Sequence, residues 1–411
     1  MNIAITPATL QGSITPPPSK SQAHRLLIAA ALAQGESRIS NLSYSQDILA
    51  TLDCLEQLGA NILRGENWVV IRGITPGIRA EIPYLNCRES GSTLRFMIPV
   101  ALAAAGGGTF TGASRLLERP QGPYQTLFQK KGIRFAHTPT GITAQGTLVP
   151  GTYSLAGDVS SQFITGLLYA LPLLDGDSDI LLTTALESKN YVDMTILALE
   201  SFGVSVQETE TGYRIPGNQR YQSRDTTVES DYSQSAFYHA ANGLGNNIRI
   251  QGLNPNSAQG DIRIVPYYQM LCGAGPVVLD VSQCPDLVPA LALQAALREG
   301  QETSIVNAAR LRIKESDRLA TVTLELNRLG ANIQEFEDHL VIHGVPTLHA
   351  GRVQAHNDHR IAMMLAIAAT RATGPVLLSG AESVNKSYPG FWEDYKALGG
   401  QFSICQEGDS Q

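Results

Sequence analysis

At several points of the chain, cationic side chains stand beside small polar residues, a combination suited to holding phosphate and carboxylate groups. In Pro16-Pro17-Pro18-Ser19-Lys20-Ser21-Gln22-Ala23-His24-Arg25, the prolines end any preceding helix. Lys20 then falls at a helix start and Arg25 about one turn on, so both reach one ligand. Arg88-Glu89-Ser90-Gly91-Ser92-Thr93-Leu94-Arg95 repeats the arrangement. Gly91 permits close backbone approach, and the Arg95 guanidinium is a fork that matches two oxygens of one anion. Glu118-Arg119-Pro120 places an arginine before a helix expected from near Pro120. Ser160, Ser161 and Gln162 are neutral hydrogen-bonding groups at another helix start, which suit hydroxyls as well as phosphate oxygens. Leu311-Arg312-Ile313-Lys314-Glu315-Ser316-Asp317-Arg318 is the most charged stretch; as a helix it sets Lys314 and Arg318 on one face with Glu315 adjacent. Asn357-Asp358-His359-Arg360 stands at the mouth of an apolar segment, and Asn385-Lys386-Ser387 adds a further cation.

Each cluster also has a plainer reading. Ser, Asp and Asn are ordinary helix caps, and charged runs are usually solvated turns. Capping accounts for any one cluster taken alone. What a cap does not need is the adjacent cation, and Lys20, Arg25, Arg95 and Arg360 supply one. His356 and His359 have no third partner at a metal-ligand spacing, so no metal site is expected.

The elements that position these residues repeat. An amphipathic helical stretch, a glycine and a short alternating run recur six times, at 52–58 with Gly59, 124–131 with Gly132, 194–202 with Gly203, 267–272 with Gly273, 323–329 with Gly330, and 391–398 with Gly399. Leu58-Gly59-Ala60-Asn61-Ile62 and Leu329-Gly330-Ala331-Asn332-Ile333 are nearly identical. Each glycine is expected to end its helix in the left-handed conformation. The polar clusters interleave with this pattern, at Ser19, Ser90, Ser160, Ser233, Pro285 and Asn357, and each leads into an Ala- and Leu-rich segment with little polar face. Helices apolar all round are buried. The unit is therefore a buried helix, a strand, a surface helix and further strands over about 70 residues, present six times. A helix N-terminus carries unpaired N–H groups and partial positive charge, so several converging ends form an anion site.

Composition bounds the rest. A chain of 411 residues exceeds one hydrophobic core, so two or more domains are expected. The net charge of -7 provides no general basic field for nucleic acid or anionic membrane. Five cysteines, an odd number without C-x-x-C spacing, argue against a disulfide framework or zinc and fit a reducing, cytoplasmic setting. Met1-Asn2-Ile3-Ala4-Ile5 lacks the character of a signal peptide, and no apolar run reaches a membrane span of roughly 18 residues. There is no Walker A loop, no G-x-G-x-x-G opening a helix and no H-E-x-x-H, so nucleotide-driven phosphoryl transfer and hydride transfer lack support.

Ser19-Lys20-Ser21 with Arg25, residues 312–318 and Asn357-Asp358-His359-Arg360 together resemble the enolpyruvyl transferase family, in particular its branch acting on shikimate 3-phosphate, and the resemblance runs over essentially the whole chain. It implies an inside-out α/β fold: two globular domains, each of three repeated βαβαββ-type units with buried helices. These are 1–16 with 229–411, and 17–228, with the active site in the cleft between them. The implied reaction moves the enolpyruvyl group of phosphoenolpyruvate to the 5-hydroxyl of shikimate 3-phosphate, in chorismate and aromatic amino acid biosynthesis. No cofactor or metal is implied. The partners are the two small-molecule substrates, with no nucleic acid or membrane, and a monomer is expected. By the same resemblance, Lys20, Ser21 and Arg25 match substrate-contacting positions. Ser160, Ser161, Gln162, Ser188 and Lys314 match contacts to shikimate 3-phosphate, with Tyr191 close by and Asp286 on the same substrate. Gly91, Arg95, Arg119, Arg318, Arg360 and Lys386 match positions around phosphoenolpyruvate, which Lys20 and Gln162 also border. Asp286 and Glu315 match the carboxylates assigned to proton transfer, with Lys20 and His359 nearby. Two departures stand out: Pro16-Pro17-Pro18 where many relatives have Leu-Pro-Gly, and Arg310 where some have Asn.

Two alternatives differ in particular residues. The branch acting on UDP-N-acetylglucosamine places Asn after its N-terminal Lys and uses a loop cysteine, whereas Ser21 follows Lys20 here and no cysteine lies around 115–119. A non-catalytic anion-binding repeat protein would lack the Asp286 and Glu315 carboxylates.

Overall fold

The six apolar segments fold as helices Lys20–Leu32, Gly91–Ala105, Ser161–Ala170, Tyr232–Gly243, Val288–Ala296 and His359–Ala368. Every residue of the last two is buried, as the lack of a polar face requires. Five begin on a side-chain cap. Ser19, Ser90, Ser160, Asp231 and Asp358 each accept a hydrogen bond from a backbone N–H of the first turn. The sixth begins differently. A 3₁₀ turn, Pro285–Leu287, runs into Val288, and the Asp286 carboxylate serves other partners.

The computed structural model describes residues 1–75, 77 and 81–405; residues 406–411, the end of the expected 229–411 segment, lie outside these. The chain forms two units, Met1–Pro17 with the chain from Ser230 onward, and Pro18–Glu229. Each has its own hydrophobic core, built around its three buried helices. Within the Pro18–Glu229 unit the Ser19 N–H donates to the Glu229 carbonyl at 2.7 Å. Within the other, the Asp231 N–H donates to the Pro17 carbonyl at 2.8 Å.

The Pro18–Glu229 unit holds three four-stranded sheets with one shared plan, a parallel pair followed by two antiparallel pairings. The sheet of Tyr84–Asn86, Gly107–Thr111, Gly141–Gln145 and Arg134–Thr138 follows it. So does that of Gly151–Leu155, Ser178–Leu182, Gly212–Ile215 and Gln207–Thr209. In the third, Glu36–Ser40, Trp68–Arg72 and Asn61–Arg64 take their parallel neighbour from Thr226–Thr227, at the far end of the unit.

The other unit repeats the plan with Val277–Asp280, Glu302–Val306, Leu340–His343 and Asn332–Glu335. It repeats it again with Gly351–Gln354, Val376–Ser379, Asn2–Thr6 and Gln401–Ile404, the N-terminal strand completing the last sheet. Its third sheet is reduced to Gln11–Ile14 beside Asn247–Ile250.

Surface helices Gln46–Gln57, Gly122–Lys130, Lys189–Ser201, Arg318–Arg328 and Phe391–Ala397 end as expected. Gly59, Gly132, Gly203, Gly330 and Gly399 are left-handed, with φ between 71° and 101°. The N–H after each glycine bonds back to a carbonyl of the last helical turn, as Ala60 does to Leu55 at 3.0 Å and Ala331 to Leu326 at 3.1 Å. Gly273 departs from the expectation. It ends Ile264–Cys272 with φ −77° and ψ 166°, in extended backbone. The direction of the chain beyond it is the reason. Gly59, Gly132, Gly203 and Gly330 turn the chain into a hairpin and Gly399 turns it into the edge strand Gln401–Ile404, whereas the chain after Gly273 runs on to Val277–Asp280 in the next sheet.

Candidate active site

In the Pro18–Glu229 unit a continuous set of hydrogen bonds ties together the first turns of its three buried helices. Lys20 Nζ lies 2.7 Å from Asp47 Oδ2, and the Asp47 carbonyl accepts from Thr93 Oγ1 at 3.4 Å. Ser92 Oγ accepts from Gln162 Nε2 at 3.0 Å, while Gln162 Oε1 accepts from Arg95 Nη1 at 2.7 Å. The Arg95 guanidinium also donates to the Pro120 carbonyl at 3.2 Å and sits over the Phe163 ring. Helix 91–105 contains Pro99, which has no N–H to give the Arg95 carbonyl; Tyr124 Oη lies 2.9 Å from that oxygen instead.

Arg25 is buried and held by backbone: Nη1 donates to the Ser21 carbonyl at 2.6 Å and Nη2 to the Tyr191 carbonyl at 2.7 Å, with Nε on Thr195 Oγ1 at 2.9 Å. Burial pushes its pKa down. His24, between the two cations on the same helix, is driven well below the usual imidazole range by burial and then by Lys20 and Arg25. It is therefore a neutral link to Thr51 and, through Thr51, to Thr93. Ser160 caps helix 161–170, and Ser161 follows it as the first helical residue. Ser188, at φ 55°, precedes helix 189–201, which carries Tyr191. Gly91 does make room, but for a side chain of this protein: a Cβ there would lie 2.4 Å from Arg119 Nη1.

The second unit builds its cluster around Arg318, whose side chain is 1% exposed. Nη1 donates to Asp286 Oδ1 at 2.8 Å, Nη2 to Glu315 Oε2 at 2.7 Å and Nε to Asp358 Oδ2 at 2.8 Å. Burial opposes its charge, but Asp358, Glu315 and Asp286 together hold its pKa above the ordinary guanidinium value. Asp286 also meets Lys314 Nζ at 3.2 Å and Arg360 Nη2 at 3.1 Å. Burial lowers the Lys314 pKa, against the pull of Asp286. Lys386 Nζ donates to the Asn357 carbonyl, and Gln234 Nε2 to the neighbouring Ser387 Oγ at 3.1 Å. Asp286, Asp358, Arg360 and Gln234 thus link the beginnings of this unit's three buried helices, as Lys20, Ser92 and Gln162 do in the other. His359 is the buried first residue of helix 359–368.

One expectation is corrected. Lys314 and Arg318 do not share a helical face. The 3₁₀ turn Ala309–Ile313 ends at Lys314 in extended backbone, and the helix begins only at Arg318. They meet because both side chains reach Asp286. Arg310 donates to the Ser282 carbonyl at 2.6 Å. Sequence reasoning missed Asp47, which no motif marks, and Asp358, which its motif contains but which reads there only as a cap. Among the described residues no group of three or more His, Cys, Asp and Glu is arranged to hold a metal ion, and no helix is long and apolar enough to cross a membrane.

The sequence matches the family described as EPSP synthase (3-phosphoshikimate 1-carboxyvinyltransferase) over residues 5–278 and 268–395. A 3-phosphoshikimate 1-carboxyvinyltransferase from Clostridium kluyveri is 47% identical, over 97% of each chain. One from Clostridium beijerinckii is 43% identical, over 99% of this chain and 100% of that protein. Among solved structures, an EPSP synthase from Acinetobacter baumannii superimposes with a TM-score of 0.81 at 24% identity, covering 98% of this chain and 100% of that one. The enolpyruvyl transferase NikO from Streptomyces tendae gives 0.76 at 19% identity, over 98% of each chain. These two likenesses bear on the fold.

Proposed function

The chain belongs to the EPSP synthase (3-phosphoshikimate 1-carboxyvinyltransferase) family, and from that premise we propose how its two residue clusters share one reaction. The chain transfers the enolpyruvyl group of phosphoenolpyruvate to the 5-hydroxyl of shikimate 3-phosphate and releases phosphate. Both clusters, one per unit, act on the two substrates. The observation that carries this reading is that Asp286 and Glu315 share one buried guanidinium, Arg318, within 2.8 Å, amid cations at the starts of buried helices. A base and an acid held side by side, with anion-binding donors around them, is what addition–elimination on an enol phosphate requires.

Phosphoenolpyruvate is protonated at C3, which makes C2 electrophilic, and the 5-hydroxyl attacks C2 as its proton passes to Asp286. The tetrahedral intermediate then expels phosphate while C3 gives up a proton. Glu315 and Lys20 move the protons at C3 and on the departing phosphate, with His359 beside them. Arg95, Arg119, Arg318, Arg360 and Lys386 hold phosphoenolpyruvate, along with Gly91 and Gln162. Lys20, Ser21, Arg25, Ser160, Ser161, Gln162, Ser188, Tyr191 and Lys314 hold shikimate 3-phosphate. At the starts of helices 20–32, 91–105 and 359–368, backbone N–H groups and cations act on the same oxygens, so the substrates' four anionic groups are met by donors already fixed in place. The protein works as a monomer in the cytoplasm, a compartment that suits its five free thiols. No cofactor enters any step.

Phosphate release from phosphoenolpyruvate tests this, with shikimate 3-phosphate and UDP-N-acetylglucosamine as alternative acceptors. Release with the first acceptor alone is expected. Release with the UDP-sugar alone, or with neither, overturns the proposal.

A further inference from the structure

Glu325 has a wholly buried side chain on a surface helix, outside the set of residues that reach either cluster's cations. It lies on Arg318–Arg328, seven residues after Arg318 and so two turns along the same face. Its Oε2 accepts from the Gln354 N–H at 3.0 Å. Its Oε1 accepts from His356 Nε2 at 2.7 Å and Arg328 Nη1 at 2.6 Å. The backbone held in this way is unusual. His356 and Asn357 are consecutive non-glycine residues in the left-handed region, at φ 51° and 53°. Such a pair persists only where its surroundings fix it.

What the turn presents is the heart of the second cluster. The Asn357 carbonyl receives Lys386 Nζ. The Asp358 carboxylate receives Arg318 Nε at 2.8 Å and Ser316 Oγ at 3.0 Å, and caps helix 359–368 through the Arg360 N–H at 2.9 Å. One helix therefore grips the 354–358 turn at two points, Glu325 on one side and Arg318 on the other.

We infer that Glu325, acting through His356, is a positioning residue for the enolpyruvyl-transfer site: it holds the strained His356–Asn357 turn so that Lys386 and Arg360 are aimed at phosphoenolpyruvate. The inference rests on the function proposed above. Glu325 itself is too deep to touch a substrate. Its buried carboxylate fixes the turn with charge-assisted hydrogen bonds that a solvent-facing loop would lack.

Steady-state kinetics of Glu325→Gln, His356→Ala and His356→Gln, with thermal unfolding of each, test the inference. For Glu325→Gln and His356→Ala the KM for phosphoenolpyruvate should rise between about 10- and 100-fold, the effect of a small misplacement of binding groups. The KM for shikimate 3-phosphate should stay at the wild-type value. The amide of His356→Gln still donates to Glu325, so its KM for phosphoenolpyruvate should fall back toward wild type. A purely structural role would lower the unfolding temperature and leave both KM values alone, and that result overturns the inference. So does an equal effect of His356→Gln and His356→Ala, which decides the matter even if Glu325→Gln does not fold. Inactivity of the wild-type chain with both substrates would instead remove the proposed function.

Discussion

Arg318 donates to Asp286 at 2.8 Å from the first residue of its helix, and the same guanidinium reaches Asp358 at 2.8 Å on its other edge. One side chain thus joins the starts of two buried helices and sets its positive charge against the fully buried Asp358 carboxylate. Removing one partner of such a network leaves uncompensated buried charge, which typically costs about 3–5 kcal/mol. Arg318→Met is expected to lower the unfolding free energy by about that amount, read from the denaturant midpoint. Arg318→Lys should recover only part of it, because a compact ammonium cannot span three carboxylates as the planar fork does. A midpoint for Arg318→Met equal to wild type would contradict this account of the network.

Asp286 is in contact with Lys314, Arg318 and Arg360, so its replacement by Asn keeps the shape of the cluster while removing a proton acceptor. Asp286→Asn and Glu315→Gln should each remain folded and lose kcat by roughly 10²–10⁴, the usual contribution of a general acid or base. Circular dichroism checks the fold and phosphate release checks the rate. Wild-type turnover in both variants would strip these two residues of their proposed roles.

The parts of the fold written in local sequence could be read directly. Ser19, Ser90 and Ser160 announced helix starts because a side-chain cap acts within three residues, and Gly59 and Gly330 announced helix ends for the same reason of range. What local pattern cannot carry is closure between distant segments. Thr226–Thr227 pairs with Glu36–Ser40, and Asn2–Thr6 completes a sheet with Val376–Ser379, because sheet edges left by the repeat need partners wherever the chain can provide them. The site divides in the same way. The cations were visible as types beside caps, whereas Asp47 opposite Lys20 and the convergence of Lys314 and Arg318 on Asp286 arise only once helices pack. The misplacement of Lys314 on a helical face came from assuming continuous helix where a 3₁₀ turn breaks it.

Gly91 offers a test of positioning by steric means alone. It opens helix 91–105 beneath the Arg119 guanidinium, and a methyl group there would lie 2.4 Å from Nη1. The atom that must yield is the end of a flexible side chain, so Gly91→Ala should fold with near wild-type stability while Arg119 is pushed aside. The expected result is a KM for phosphoenolpyruvate raised by about tenfold or more, since displaced cations lose their aim. A similar rise in Arg119→Ala, with no further rise in the double variant, would locate the effect in that guanidinium. Additive effects would point to a different cause.

Acid should weaken each unit through a histidine whose protonation is opposed by desolvation, His24 fully buried and His239 partly so. His239, in helix 232–243 with its ring 5.5 Å from that of Tyr268, is held by burial down to about 4, and His24 in the other unit is lowered as well. Both are neutral when folded at pH 7, and unfolding returns each to an ordinary value near 6.5. Below that pH the unfolded chain binds protons that the folded chain refuses, so stability falls with falling pH; for His239 the loss levels off near pH 4. At pH 5 the His239 contribution amounts to about 2 kcal/mol relative to neutral pH. Denaturant unfolding of wild type and His239→Gln at pH 7 and pH 5 isolates it. The wild-type protein should lose more stability between the two pH values than the variant does, by about that amount. Parallel losses would show that His239 takes up its proton without unfolding.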